Sequence, residues 1–445
     1  MGVLPRWDVI TTMSRRIKIA VVGGGSTYTP ELIDGFARFQ ARLPVDELVL
    51  YDTSPERLES VGGVAGRILR KQGWRGELST STDLVEAVSG ANFVIIQLRV
   101  GGQAARLIDE TLPLAHGFIG QETTGPGGFA KALRTVPVVL AIAEVVRTHA
   151  ADDAWIVDFT NPVGIVTQAL LDAGHRAIGL CNSAIHFQRV FASLLEVDPD
   201  RIEVEHVGLN HLTWARSVRL DGSDVLPELL STHLEAIAEH VELPPELLTT
   251  IDAIPSKYLR FYYRTAEILQ AQRDGAIRAK DVLQIESDLL ELYRDPRLDV
   301  KPAVLAKRGG AFYSEAAVQL IASLHDDRGD VQVVNVVNNG ALPGLPDDAV
   351  VEVPARVGAS GAHPISARAL PAEFLGLVQS AKSYERLTVA AAQSGDMRTA
   401  LLSLIANPLV REFARAQAVL AETIEAHWKD LPAFHESFDR AIQTN

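Results

Sequence analysis

Cysteine is almost absent: of 445 residues only Cys181 carries a thiol. No internal disulfide can form, and a secreted scaffold of this size would more often hold several, so the cytoplasm is the expected compartment. Long apolar runs are missing as well. The best candidate, residues 138–146, is broken by Glu144 and falls short of the roughly 18 to 20 residues of a membrane span. Positive charge is in deficit, with 42 Lys and Arg against 56 Asp and Glu and a formal net charge of −14. Neither a nucleic acid nor a membrane is an expected partner, because no basic footprint faces their phosphates. An anionic small-molecule substrate must therefore meet a local cluster of cations. Arg15-Arg16 before an apolar stretch imitates a twin-arginine export signal, but that stretch runs into a glycine loop in place of a cleavage site. Residues 1–12 show no periodicity and lie ahead of a second methionine, Met13, so an N-terminal extension is assigned to residues 1–16. Internal repeats and low-complexity segments are lacking too.

What is present is the balance of an ordinary soluble enzyme, 47% hydrophobic and 22% charged, long enough for two tightly joined domains. Residues 17–22 form a short β-branched apolar run that ends on Gly23-Gly24-Gly25-Ser26, followed by a helical pattern over 30–36. Residues 48–51 give a second strand ending at Asp52, residues 55–69 a helix, and residues 93–97 the next strand. This β-α-β-α-β order opens a doubly wound, Rossmann-like parallel sheet. Strands at 155–159 and 177–180 alternate with helices at 136–147 and 163–173, so residues 17–195 read as a nucleotide-binding domain. Residues 196–445 read as a second, mixed α+β domain for substrate and metal. It has a strand pair over 204–220, long charged helices over 227–293, a strand-rich stretch at 331–353 and a helical tail over 370–441. The architecture expected is that of lactate and malate dehydrogenases.

A glycine-rich turn after a buried strand lets backbone N–H groups approach a pyrophosphate at the positive end of the following helix. Gly23, Gly24, Gly25 and Ser26 suit that role. Asp52, ending the second strand, suits a ribose diol acceptor and favours NAD over NADP, although it lies somewhat beyond the usual spacing of about 20 residues. The plainer reading is a tight turn with Asp52 capping the next helix.

Cys181, in Gly-Leu-Cys-Asn, and His211, in Gly-Leu-Asn-His-Leu-Thr-Trp, both follow predicted strands. Thiolate and imidazole are good ligands for a divalent transition ion, and two protein ligands leave room for substrate on the same ion. By spacing alone, a buried structural thiol and a hydrogen-bonded structural imidazole are the commoner outcome.

Further short motifs occur in series. They are GGGSTYTPEL from Gly23, Gln97-Leu-Arg-Val-Gly-Gly102, Gly120-Gln-Glu-Thr123, Gly127-Gly128, Ala132-Leu-Arg-Thr-Val-Pro137, Phe159-Thr-Asn-Pro162, Cys181-Asn182, Gly208-Leu-Asn-His211 and Lys307-Arg-Gly-Gly310. Together and in order they resemble glycoside hydrolase family 4 from about residue 17 to the C-terminal helices, and within it the members that act on 6-phospho-β-glucosides.

The resemblance implies a mechanism outside the two-carboxylate scheme of most glycosidases. NAD oxidises the sugar C3 hydroxyl, which acidifies the C2 proton. A divalent metal, usually manganese, holds the C2 and C3 oxygens, and a tyrosine removes the proton. The aglycone leaves by elimination, water adds back, and the hydride returns. Cys181 and His211 match the metal ligands of the family. Tyr258, in Ile254-Pro-Ser-Lys-Tyr-Leu-Arg-Phe-Tyr-Tyr263, matches the base, with Tyr262 and Tyr263 as alternatives and core packing as the plainer role. Arg106, Asn161 and Arg308 match substrate-binding positions; each arginine could instead be an ordinary ion pair, and Asn161 could cap the helix after Pro162. Asn182 stands where α-acting relatives carry an aspartate, and an amide cannot protonate a leaving oxygen. The next residues, Ser183-Ala184-Ile185-His186, depart from the proline-bearing run frequent in the family.

The expected partner is thus a phosphorylated disaccharide or β-glucoside, in a chain that assembles as a homodimer or homotetramer. Another specificity in the family, for a 6-phospho-α-glucoside or an unphosphorylated glycoside, is the nearest alternative. A 2-hydroxy-acid dehydrogenase would share the cofactor domain but has no use for Cys181 as a ligand. A silent NAD sensor would keep only the fold.

Overall fold

The structure, a computed structural model, describes residues 16–310 and 312–435. The N-terminal segment read as an extension, including Met13 and Arg15, lies outside those residues apart from Arg16, as does the end of the helical tail. Among the described residues thirteen strands form one sheet: β1 (Lys18–Val22), β2 (Glu47–Tyr51), β3 (Glu77–Ser81), β4 (Phe93–Ile96), β5 (Trp155–Asp158), β6 (Ala177–Gly179), β7 (Ile202–Leu209), β8 (Leu212–Leu220), β9 (Ser223–Asp224), β10 (Ile254–Pro255), β11 (Asp330–Val337), β12 (Val350–Gly358) and β13 (Gly361–Pro364). The parallel half runs β3-β2-β1-β4-β5-β6, the order of a dinucleotide-binding fold. Its central strands read as unbroken apolar runs because helices cover both faces; all four residues of β4 are buried. Between the strands lie α1 (Thr29–Arg38), α2 (Pro55–Lys71), α3 (Leu84–Val88), α4 (Gly102–Ala115), α5 (Gly125–His149) and α6 (Val163–Asp172), with α7 (Ser183–Leu194) after β6.

Two sequence expectations are corrected. Strand β3 and helix α3 stand between the second predicted strand and the strand at residue 93. The polar segment Glu-Leu-Ser-Thr-Ser hides an edge strand that offers few apolar side chains to a core. The long charged helices expected over 227–293 are mostly short, such as Leu226–Thr232, Leu234–Val241 and Pro245–Ile251; only Arg278–Tyr293 reaches 16 residues.

Past β6 the same sheet continues as β11-β12-β7-β8-β10 with antiparallel pairing. A single row joins the two parts: Gly179 of β6 pairs with Asn335 of β11, Asn335 with Glu352 of β12, and Glu352 with Gly208 of β7. Asn335 and Glu352 are buried and bonded at 3.1 Å. A Cβ at Gly179 would lie 2.1 Å from Thr167 Oγ1, and one at Gly208, where φ is +145°, would lie 2.2 Å from the Leu212 carbonyl. The C-terminal helices Ala372–Ser394, Met397–Ala406 and Phe413–Ala426 pack back on α4, α5 and α6. Among the described residues no helix is long and apolar enough to cross a membrane.

Candidate active site

The carboxyl ends of β1, β4, β5 and β6 open toward one region, where ligands of such sheets bind. At the end of β1 the glycine loop lies hard against its neighbours. A Cβ at Gly23 (φ +88°) would sit 2.5 Å from the Gln97 carbonyl, and one at Gly24 would sit 2.7 Å from Leu50 Cβ. Asp52 accepts from the Gly25 amide at 3.0 Å through one oxygen and from the Ser54 amide at 3.1 Å through the other. The cap of α2 belongs to Ser54, which accepts from Arg57, so the cap reading of Asp52 does not hold. Asp52 instead ties the loop to β2 and, with lone pairs to spare, still suits a ribose diol. Ser26 accepts from the Tyr28 amide at 3.2 Å. The amides of Gly23 and Gly24 donate to the Tyr51 carbonyl at 2.9 and 2.7 Å, and that of Ser26 to the Gly23 carbonyl at 3.0 Å, so the loop is a rigid, side-chain-poor turn ahead of α1, a shape that lets a dinucleotide pyrophosphate come close.

Cys181 leaves β6 two residues past the joining row, and His211 sits in the two-residue turn between β7 and β8. His211 adopts φ +63°, a left-handed conformation unusual for a residue with a side chain. Its Nδ1 meets Thr123 Oγ1 at 2.9 Å, which leaves Nε2 for a metal. Burial, opposed by Glu352, holds the imidazole down at about 4, so it is neutral. Burial and then Glu352 push the Cys181 thiol up to about 12, while Ser183, whose Oγ is 3.3 Å away, opposes them. Glu352 acts on both side chains. Burial would raise its carboxyl, but bonds from His206 at 2.9 Å and Asn210 at 2.7 Å keep it below the usual range.

Among the described residues no three His, Cys, Asp or Glu side chains gather as a complete metal cage. The soft and borderline donors Cys181 and His211 fit an ion that takes its other ligands from substrate and water. The ring of Tyr258 stacks on His211 at 3.5 Å between centroids and 9° between planes. Burial, then Cys181 and Glu122, raise its phenol above the usual range, against Arg260 and Arg106. Tyr262 and Tyr263 pack on the hydrophobic core instead, and Tyr262 faces Glu385.

Beside Tyr258 lies a knot of cations. Glu122 pairs with Arg99, with Lys131 at 2.8 Å and with Arg106 at 3.3 Å; Arg106 also meets Glu110 at 2.7 Å. Burial would raise the Glu122 carboxyl, yet Arg99, Lys131 and Arg106 hold it well below its usual range. Lys131 is lowered to about 7 by burial and by Arg99. Arg308 is lowered to about 10 by burial and the same arginines, and its buried Nε has no partner. Three cations thus share the Glu122 carboxylate, and Arg308 lies within its electrostatic reach without pairing to it, a local gathering of positive charge of the kind an acidic chain needs for an anion. Asn161 precedes Pro162 across a cis peptide, and its buried Oδ1 also has no partner. It does not cap α6, whose N-cap is Pro162. Asn182 occupies the N-cap position of α7 without a side-chain cap. Sequence reasoning singled out Arg106 and Arg308 but passed over Arg99, Glu122, Lys131, Thr123 and Glu352. Arg99 stood in a quoted motif just past β4, a position that could have marked it.

Comparison with known proteins settles the lineage. The model described as family 4 glycosyl hydrolase matches residues 18–197, and that of the family 4 glycosyl hydrolase C-terminal domain matches residues 206–410. The chain belongs to glycoside hydrolase family 4. A probable 6-phospho-β-glucosidase of Bacillus subtilis (strain 168) is 42% identical over 446 residues, covering 96% of this chain and 100% of its own. The 6-phospho-β-glucosidase of Thermotoga maritima, solved with NAD and glucose-6-phosphate, superposes with a TM-score of 0.88 at 35% identity, over 93% of this chain and 99% of that one. The same enzyme has also been solved with manganese, NAD+ and glucose-6-phosphate, with a TM-score of 0.86 at 34% identity and the same coverage. Malate dehydrogenase from Plasmodium falciparum, at 16% identity and a TM-score of 0.53 over 87% of this chain and 99% of its own, shares this family 4 member's fold alone.

Proposed function

We propose that this family 4 enzyme hydrolyses 6-phospho-β-glucosides. The observation that carries the reading is the meeting of three features at one sheet edge: the Cys181–His211 donor pair with Tyr258 stacked on it, the cation knot around Glu122, and the glycine loop at the end of β1. Residues 17–195 hold the cofactor in this reading, and residues 196–445 bring His211, Tyr258 and Arg308.

Bound at this edge, NAD supplies a hydride acceptor and a divalent ion, manganese as in the Thermotoga relative, supplies Lewis acidity toward the sugar C2 and C3 oxygens. The chain does the rest. Gly23, Gly24, Gly25 and Ser26 form the tight turn that lets the pyrophosphate come close to the start of α1, and Asp52 takes the ribose diol. Arg99, Arg106, Lys131 and Arg308 receive the 6-phosphate, for which planar guanidinium forks are suited. Asn161 offers its unpartnered Oδ1 to a sugar hydroxyl. Tyr258 takes the C2 proton; its phenol is too basic to ionise unaided, so positive charge beside it decides when it acts. Asn182 lies next to Cys181 but cannot act as an acid, which favours a β-linked leaving group over an α-linked one.

The test is turnover of a chromogenic 6-phospho-β-glucoside beside its unphosphorylated and α-linked counterparts, with NAD, manganese and reductant present. Cleavage confined to the first is expected. A net redox reaction on a 2-hydroxy acid would overturn the reading in favour of a dehydrogenase, and no reaction at all would favour a sensor. The lone buried Cys181 supports a cytoplasmic site of action. Assembly as a homodimer or homotetramer is part of the proposal, and sedimentation measures it.

A further inference from the structure

Three rings gather beside the site without belonging to it. His186 lies one turn along α7 from Asn182, to whose carbonyl its amide donates at 3.0 Å. Its imidazole stacks on His240 at 4.7 Å and 28°, and faces Phe312 at 5.9 Å and 44°. His240 comes from the end of the helix Leu234–Val241, and Phe312 is the N-cap of the helix Tyr313–Asp326. Two of the three rings ride on segments that also build the site. The helix α7 follows Cys181 and Asn182. Phe312 precedes Tyr313, whose ring meets Tyr28 at 6.0 Å and Phe159 at 5.1 Å. All three rings are half-buried, neither sealed in the core nor fully in solvent. Phe312 holds φ +66°, a strained conformation for a bulky residue, of the kind that concentrates where a ligand is clamped. Burial keeps both imidazoles below their ordinary range, helped by Lys257 at His186 and by His186 and then Lys257 at His240, which is held at about 4, so they present uncharged faces.

We infer that His186, His240 and Phe312 form the platform on which the leaving group rests, and that this platform takes a flat aryl aglycone. The inference rests on the glycosidase reading above. Asn182 stands next to Cys181, and His186 lies one turn beyond it on α7, so the platform extends from the end of the site where Asn182 stands. Ring faces pair with a planar aromatic, whereas a second sugar brings several hydroxyls that need fixed polar partners. The nearest exposed cation, Lys257, is drawn to Glu242 at 2.5 Å.

The test uses the full-length chain with manganese but depleted of NAD, so that ligands bind without turning over. By calorimetry, phenyl 6-phospho-β-glucoside should bind about three- to tenfold more tightly than its methyl analogue, the range of one aromatic contact. His240→Ala should erase that preference and His240→Phe should restore it. Equal binding of the two ligands by the wild type, an unchanged preference in the alanine variant, or tighter binding of a phosphorylated disaccharide than of the phenyl glycoside would each overturn the platform. Turnover is read separately with NAD restored. Cleavage of both glycosides without discrimination in binding refutes the platform alone, and discrimination in binding without cleavage refutes the hydrolytic reading alone.

Discussion

The metal capture proposed at Cys181 has to displace a proton, and the pocket determines how many. The thiol is 4% exposed and pushed up to about 12, chiefly by burial and then by Glu352, so at neutral pH it is protonated. His211, held at about 4 by burial, is already neutral there. Between pH 6 and 9 one ligand must lose a proton and the other has none to lose. Manganese affinity should therefore rise about tenfold per pH unit, or roughly thirtyfold between pH 6.5 and 8.0. The assay is calorimetric titration of Mn2+ into the metal-stripped full-length chain, repeated in buffers of different ionisation heat, which counts the protons released per ion. One is expected. Cys181→Ser should bind more weakly and lose the slope, because a hydroxyl stays protonated throughout. A pH-independent affinity, or an unchanged slope in the serine variant, would refute the assignment of the thiol. A slope of two would refute the argument that burial keeps His211 neutral.

Tyr258→Phe keeps the ring stacked on His211 and removes only the hydroxyl, so it should lower kcat by about 10² to 10⁴ with little change in Tm. Exchange of the C2 hydrogen with deuterated solvent should slow in step; native turnover with full exchange would place the base elsewhere. NAD should be needed in less than stoichiometric amount for many turnovers, and release of one NADH per glycoside cleaved would sink the redox cycle. Asp158 is fully buried, and burial raises its carboxyl to about 8 against bonds from Thr160 and Thr167. The folded state keeps a proton that the unfolded chain releases near pH 4, so stability from this group falls as pH rises from about 4 to 8. A falling Tm between pH 5 and 8 that flattens in Asp158→Asn is the expected scan.

The parallel half of the fold was legible because its strands are buried on both faces, and continuous apolar runs such as 17–22 and 93–97 mark them. The edge strand β3 was not, since an exposed Glu-Leu-Ser-Thr-Ser carries no such signal. Cys181, His211 and Tyr258 could be picked out through motifs, but their meeting depends on a turn that presents His211 from the far end of a different strand pair. The cation knot was legible only in part. Arg99 and Lys131 are separated by a helix and a loop, and only the shared partner Glu122 reveals that they act together. Asn161 gave an ambiguous signal because its position before Pro162 suits both a cap and a free amide. The orphaned oxygen in the folded chain separates the two.

The single row Gly179–Asn335–Glu352–Gly208 gives the enzyme the mechanics of a zipped seam. Cys181 emerges just past one end of that seam and His211 just past the other, so the distance between them is set by rungs of the sheet and not by the closure of a clamshell. An ion held by both would act as a rivet across the join. Heating should then show one melting event, and manganese should move that event upward as a whole without splitting it in two.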